Sequence, residues 1–174
     1  MRSNFVILSL LLLMILSCYK DKEIQYLELT SGLAMDPHQG RFGIKIISDN
    51  YFYICKEIMD IDSEKIDHHT GKYKYYKSVS KIDFIEYQAL ISTNFAKEKR
   101  LVFHSIADAE AYQIKYHFYN GKDKYRFYSS NLNEKQNYVI EMLENLRHKK
   151  FKEIDSIEFS SDLLQEKLPE PPKL

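Results

Sequence analysis

Any chemistry this chain performs would begin from a handful of side chains. His68-His69 is the most metal-like pair, with Asp60, Asp62, Glu64 and Asp67 close by in sequence to supply oxygen ligands. Adjacent histidines point to opposite sides of an extended chain, and the spacing matches no closed zinc site. The acidic cluster also lacks the glycine and the ligand order of a calcium loop. The pair is read as part of a solvated loop. For nucleophilic work the candidates are Ser105 beside His104, and Cys55. None of them sits in a glycine-framed elbow or another activating context. The five glycines are scattered, so there is no P-loop or dinucleotide fingerprint. No catalytic residue, metal ligand or cofactor site is assigned, and the expectation is a non-enzyme.

Recognition suits the residues better than catalysis. Lys72-Tyr73-Lys74-Tyr75-Tyr76-Lys77 alternates basic and aromatic side chains. A second run surrounds Asn120-Gly121, where Lys115, His117, Lys124, Arg126 and Tyr128 are expected on one face and Ile114, Tyr116 and Phe118 on the other. Charge combined with aromatic area can recognise a protein or a glycan. The competing reading is an ordinary solvated sheet face whose lysines protect an edge. From these runs, Lys72, Tyr73, Tyr75, Lys115, His117, Lys124, Arg126 and Tyr128 form the expected binding surface.

One further residue type carries chemistry of a different kind. Arg2 is followed by an apolar run from Phe5 to Leu16 and then by Ser17-Cys18. A basic start and an apolar core of this length form a secretory signal pattern. The run is too short to span a bilayer, which takes roughly 20 apolar residues. A thiol just beyond it would lie at the membrane surface, where acyl chains can be attached, each buried CH₂ contributing about 0.8 kcal/mol. The expected organisation is a signal peptide over 1–17, lipidated Cys18 with a tether to 23, one domain over 24–159, and a polar, proline-rich tail over 160–174. An ordinary signal peptide and an uncleaved anchor are the alternatives at this end.

Composition narrows the field. Twenty-five basic and twenty-five acidic residues give a formal net charge of zero, so nothing favours phosphate backbones and no nucleic-acid partner is expected. There are fourteen tyrosines, ten phenylalanines and no tryptophan. With Cys18 lipidated, Cys55 is the only thiol left, an intramolecular disulfide is impossible, and Cys55 reads as a small buried hydrophobe.

The elements that must position these residues follow from periodicity. Ile24–Thr30 reads as a strand with Leu27 and Leu29 on one face and Glu28 on the other. Ser31–Gly43 reads as a loop, its stretch Leu33–Gln39 a candidate ligand-facing segment. Ile44–Ile47 and Tyr51–Lys56 flank the turn Ser48-Asp49-Asn50 as a hairpin. Gly71–Lys77 is a further strand. A helix is expected from a Ser80 cap, with Ile82, Phe84, Ile85, Ala89 and Ile91 facing inward. Leu101–Phe103 is read as a short strand and Ala107–Ala111 as a helical turn. Asn120-Gly121 marks a hairpin whose two turn residues both need positive φ. Asn133 caps a second helix with Gln136 closing a capping box, and Val139, Met142, Leu143 and Leu146 face inward. The class is α+β: an antiparallel sheet of about five to seven strands built from hairpins, with two amphipathic helices packed on one face.

The signal ending in Leu16-Ser17-Cys18 resembles the lipobox of bacterial lipoproteins. Together with the lysine-, tyrosine- and asparagine-rich body, its two hairpins and closing helix, the chain looks like a small Bacteroidota-type lipoprotein carrying an exported bacterial domain of unknown function. That resemblance implies an outer-membrane lipoprotein, periplasmic or surface-facing, and carries no catalytic residues with it. The expected role is a non-catalytic binding or accessory domain for a protein or glycan partner in the envelope. An immunity or inhibitor lipoprotein that neutralises a toxin or enzyme is the first alternative. A hydrolase with a dispersed active site is the second.

Overall fold

The computed structural model describes residues 23–32, 40–60, 69–95, 111–129 and 132–164, without the side chains of 125–129 and 162. The signal segment with Cys18, Leu33–Gln39, His68, Leu101–Phe103 and the His104-Ser105 pair lie outside the described residues, as do the side chains of Arg126 and Tyr128. The elements are β1 (Ile24–Gly32), β2 (Phe42–Ile47), β3 (Phe52–Met59), β4 (His69–Ser78), α1 (Phe84–Asn94), β5 (Ala111–Phe118), β6 (Asp123–Ser129), α2 (Glu134–Asn145) and β7 (Phe151–Ile154). Single 3₁₀ turns follow at Leu146–His148 and Asp162–Leu164. The strands form one antiparallel sheet in the order β6-β5-β1-β2-β3-β4-β7. The α+β expectation holds.

Strand alternation sorts the sheet into two faces. One carries Leu27 and Leu29 of β1, Ile44 and Ile46 of β2, Phe52 and Ile54 of β3, and Ile114 and Tyr116 of β5, all buried. Both helices lie on this face. Phe84, Ile91 and the adjoining Phe95 come from the first, and Val139, Ile140, Leu143 and Leu146 from the second and its 3₁₀ extension. Burying each such side chain contributes about 1.5–3 kcal/mol, so this one layer is the main source of stability.

α2 begins as its sequence indicates. Asn133 Oδ1 accepts from the Gln136 amide at 3.0 Å, and Gln136 Oε1 accepts from the Asn133 amide at 3.1 Å. The start of α1 is later than the expected Ser80 cap. Asp83 is the N-cap, its Oδ1 accepting from the Ile85 and Glu86 amides at 2.9 and 3.2 Å. The reason is tertiary. The segment before the helix is tied down because the Ile82 amide bonds Asn50 O and the Phe84 amide bonds Asn50 Oδ1, so its backbone groups are used outside a helix. The later start turns Ile85 outward, leaving it 72% exposed where an inward position was expected.

The two hairpins share a three-residue loop. Ile47 and Tyr51 close Ser48-Asp49-Asn50, with Asn50 at φ 71°, and Phe118 and Lys122 close Tyr119-Asn120-Gly121, with Gly121 at φ 76°. Only one residue of each loop takes positive φ, as in a type I turn followed by a left-handed bulge residue, so the expected two-residue Asn-Gly turn is not the one formed. That single extra residue reverses the β6 parity. Lys115 now pairs with Tyr125 and His117 with Asp123, while Lys124 and Arg126 pair with Tyr116 and Ile114 on the helix side of the sheet. The expected single face carrying Lys115, His117, Lys124, Arg126 and Tyr128 is therefore split between the two faces.

The second face is covered by the chain's own end. Beyond β7 the segment from 155 turns back across the strands, and Ser161, Leu163 and Leu164 are buried. The packed body thus continues through Leu164, past the expected boundary at 159. Gly43 makes room for it: a Cβ there would come within 2.9 Å of both Cys55 Sγ and the Phe159 ring. Gly43→Ala is expected to destabilise the fold by about 2 kcal/mol through this overpacking, read as a lower denaturant midpoint with an unchanged slope.

Candidate binding surface

The face beneath this C-terminal strap is built from polar residues at alternate strand positions. Glu28 of β1 lies opposite Lys45 of β2 and Lys115 of β5. All three are at least nine-tenths buried. Glu28 Oε2 is 3.3 Å from Lys45 Nζ, and Glu28 Oε1 accepts from the Ser160 amide at 2.9 Å. Lys45 also donates to Glu158 O, and Lys115 to Ser160 Oγ. Ser161 Oγ reaches both Thr30 Oγ1 and Gln113 Oε1. Burial pushes the Glu28 carboxyl above its ordinary pKa despite Lys45 and the Ser160 amide. The strap therefore supplies polar partners that the sheet face would otherwise take from water.

A second buried cluster lies at the opposite end of the strands from the hairpin loops. Glu57 Oε2 is 2.8 Å from His69 Nδ1, 3.2 Å from Arg41 Nε and 3.1 Å from the Arg41 amide, and Oε1 accepts from the Gly71 amide at 2.9 Å. Burial opposes the charge on Glu57, but the His69 bond, the two amides and the Arg41 guanidinium together hold the carboxyl below its ordinary range. His69 is thus a buried strand residue paired with a carboxylate, not part of a solvated loop. No trio of metal-ligating side chains comes together among the described residues.

The expected surface residues have different fates. Tyr73 donates its hydroxyl to Leu164 O at 2.6 Å, and the Tyr75 ring stacks on Phe159 at 6.5 Å, so both serve the strap. Lys115 is buried and lies 3.2 Å from Asp123 Oδ2. His117 Nδ1 is 2.6 Å from Asp123 Oδ1, and its ring stacks on Tyr26 at 4.5 Å. Burial works against the Asp123 charge, but His117 and Lys115 hold its carboxyl below the ordinary range. Lys72 and Lys124 are exposed. Cys55 is fully buried as expected, and desolvation, with the Glu28 charge behind it, pushes its thiol far above the ordinary range. A thiol held in that form is a poor nucleophile.

Beyond the strap, over β3 and β4, lies a less deeply buried group of rings and lysines. Lys77 Nζ sits 4.2 Å above the Tyr51 ring and 5.6 Å from that of Tyr53, and Lys81 Nζ is 5.1 Å from Tyr51. The two rings and Lys77 are half-exposed, and Lys81 and Lys152 beside them are exposed. Register fixes this grouping, because Tyr53 pairs with Lys77 and Lys77 with Lys152. Such an arrangement offers aromatic faces with ammonium groups held over them, suited to a partner presenting anionic or polar groups beside flat apolar surface. Lys77 closes the lysine-tyrosine run of the sequence. Tyr51 and Tyr53 were visible only as an aromatic stretch, without sign of which would stay accessible.

At the hairpin-loop end of the sheet, an open cleft of about 590 Å³ is lined by Glu23, Ser48, Lys81, Asp83, Ile85 and Tyr119 among others. It is shallow and mixed in polarity. No described helix is long and apolar enough to cross a membrane. No family model matches the chain, and neither does any curated protein or solved structure.

Proposed function

We propose that this chain is a lipid-anchored, non-catalytic binding or accessory domain of the cell envelope, attached through Cys18 and engaging a protein or glycan partner. The observation that carries the reading is the half-buried patch of Tyr51, Tyr53 and Lys77, in which lysine ammonium groups stand over the aromatic rings beside the strap. The buried polar groups of the sheet described above are tied to one another, as Glu57 is to Arg41 and His69. They act as structure. The patch keeps its cation and its rings accessible at once, which is what recognition requires.

The partner test is capture from envelope extract with the wild-type chain, beside Tyr53→Ala and Lys77→Glu. Both variants are expected to lose roughly tenfold or more of the captured partner, in line with truncation of a central aromatic or reversal of a charge at an interface. Equal capture by all three would remove the patch from the reading. The anchor is tested by fractionating Cys18→Ala, whose expected product is unprocessed or released from the membrane. A membrane-bound, mature-sized product would rule out lipidation at that residue.

A further inference from the structure

We propose that the end of the sheet at which the chain enters at Glu23 is a membrane-docking surface, resting on the headgroup layer of the bilayer that holds Cys18. This rests on the lipid-anchor reading and adds to it an orientation and a second contact. Tether length is the first ground. Five residue steps separate Cys18 from Glu23, about 18 Å fully extended, whereas β1 alone rises roughly 30 Å. Glu23 is held on the body, because its carbonyl accepts from the Tyr119 amide at 3.0 Å. The hairpin-loop end is therefore kept within about 18 Å of the bilayer, whereas the far end, where β3 finishes, is not held there by the tether.

The second ground is what this end exposes. The exposed large hydrophobic residues among those described are Ile58, Val79, Ile85, Tyr119 and Tyr138. Three of them, Val79 at 64%, Ile85 at 72% and Tyr119 at 48%, lie at the hairpin-loop end. Their placement follows from the topology. Val79 follows the last residue of β4 and its amide bonds Lys150 O just ahead of β7; Ile85 opens α1 beside the Asn50 loop; Tyr119 belongs to the β5–β6 loop and its hydroxyl bonds Ser48 Oγ at 2.9 Å. Exposed Lys81, Lys122, Lys149 and Lys150 share this end with them. The acids there include Glu23, Asp49, Asp83, Glu86 and Asp123; the carboxylates of Asp49 and Asp83 are occupied by the Tyr51, Ile85 and Glu86 amides, and that of Asp123 by His117 and Lys115. Tyrosine and aliphatic side chains among lysines form the composition that settles at a lipid–water interface. Seated this way, the sheet faces project sideways and Tyr53 and Lys77 lie on one of them, with Tyr51 and Lys81 at its border with the docked end.

The chain lacks tryptophan, so a single introduced one reports its own surroundings. The full lipidated chain carrying Tyr119→Trp, Ile85→Trp or Ile58→Trp would be reconstituted into vesicles of phosphatidylethanolamine with a minority of phosphatidylglycerol. Emission would then be measured with and without a nitroxide-headgroup phospholipid, and flotation of each sample recorded. Ile58 lies in β3 near its far end and serves as the distant reference. Tyr119→Trp and Ile85→Trp are expected to be blue-shifted and quenched roughly twofold or more beyond Ile58→Trp, as for side chains in the headgroup layer. Ile85→Trp guards against the loss of the Tyr119 hydroxyl contact. Vesicles that float with the protein but quench the three sites equally would overturn the docking surface and leave the anchor standing. Protein that fails to float with the vesicles would overturn the anchor and the docking surface together.

Discussion

Ending the chain after Asp155 is expected to remove about 5 kcal/mol or more of stability, comparable to the whole margin of a small domain. The deleted segment contains Phe159, Leu163 and Leu164 together with Ser160 and Ser161, which partner Glu28, Lys115, Thr30 and Gln113. Three apolar side chains lose their seats, and the polar face loses its cover. The readout is Cys55, the one thiol left in a Cys18→Ser background. In the intact chain Cys55 is fully buried, and a thiol reagent should reach it only through unfolding. After truncation it should label rapidly under native conditions, with a lower and broader thermal transition. Unchanged protection and an unchanged midpoint would show that the strap is dispensable. Leu163→Ala separates packing from polar cover: the expected loss is about 3 kcal/mol, with Cys55 still largely protected.

Glu57→Gln is expected to destabilise the fold by about 3 kcal/mol at neutral pH, because it removes a buried negative charge that pairs with both the Arg41 guanidinium and His69. The side chains of Glu57 and Arg41 are 0% and 7% exposed, so solvent does little to screen the loss. The effect should depend on pH. Glu57 ionises at lower pH in the folded chain than when unfolded. Its contribution is therefore complete above the ordinary carboxylate pKa of about 4.3 and vanishes as pH falls through the folded value. Denaturation of both chains near neutrality and in strong acid should show the difference between them shrinking on acidification. A constant difference would mean that the carboxylate acts through shape alone. Glu28 runs the other way, since its folded pKa is raised: its favourable share is present at low pH and is lost as pH climbs through that value.

Much of the architecture could be read locally. The capping box at Asn133 and Gln136, the alternation of Leu27 and Leu29 with Glu28, the two hairpins and the burial of Cys55 all follow from periods and short-range hydrogen bonding, which neighbouring residues settle among themselves. The binding surface was legible only in part. Lys77 was within the lysine-tyrosine run singled out from the sequence, whereas Tyr73 and Tyr75 of that run are engaged by Leu164 and Phe159. No local rule distinguishes these tyrosines, because what separates them is a segment about ninety positions further on.

The sequence by itself determined most element types, the α+β class and the apolar side of β1 and β5, since a strand's two-residue period needs no partner to be visible. Only the tertiary structure decided the parity of β6 and which charges are buried. A loop of three residues instead of two moves Lys124 and Arg126 to the helix side of the sheet while leaving Lys115 and His117 on the other. Likewise Glu28, Lys45 and Lys115 would be ordinary solvent-facing residues of a one-sided sheet, but the strap returns across them and makes them interior. Hydrogen bonds such as that between Thr30 and Ser161 join positions 131 residues apart. Such contacts are fixed when the chain collapses on itself, and that collapse leaves the patch around Lys77 less deeply buried.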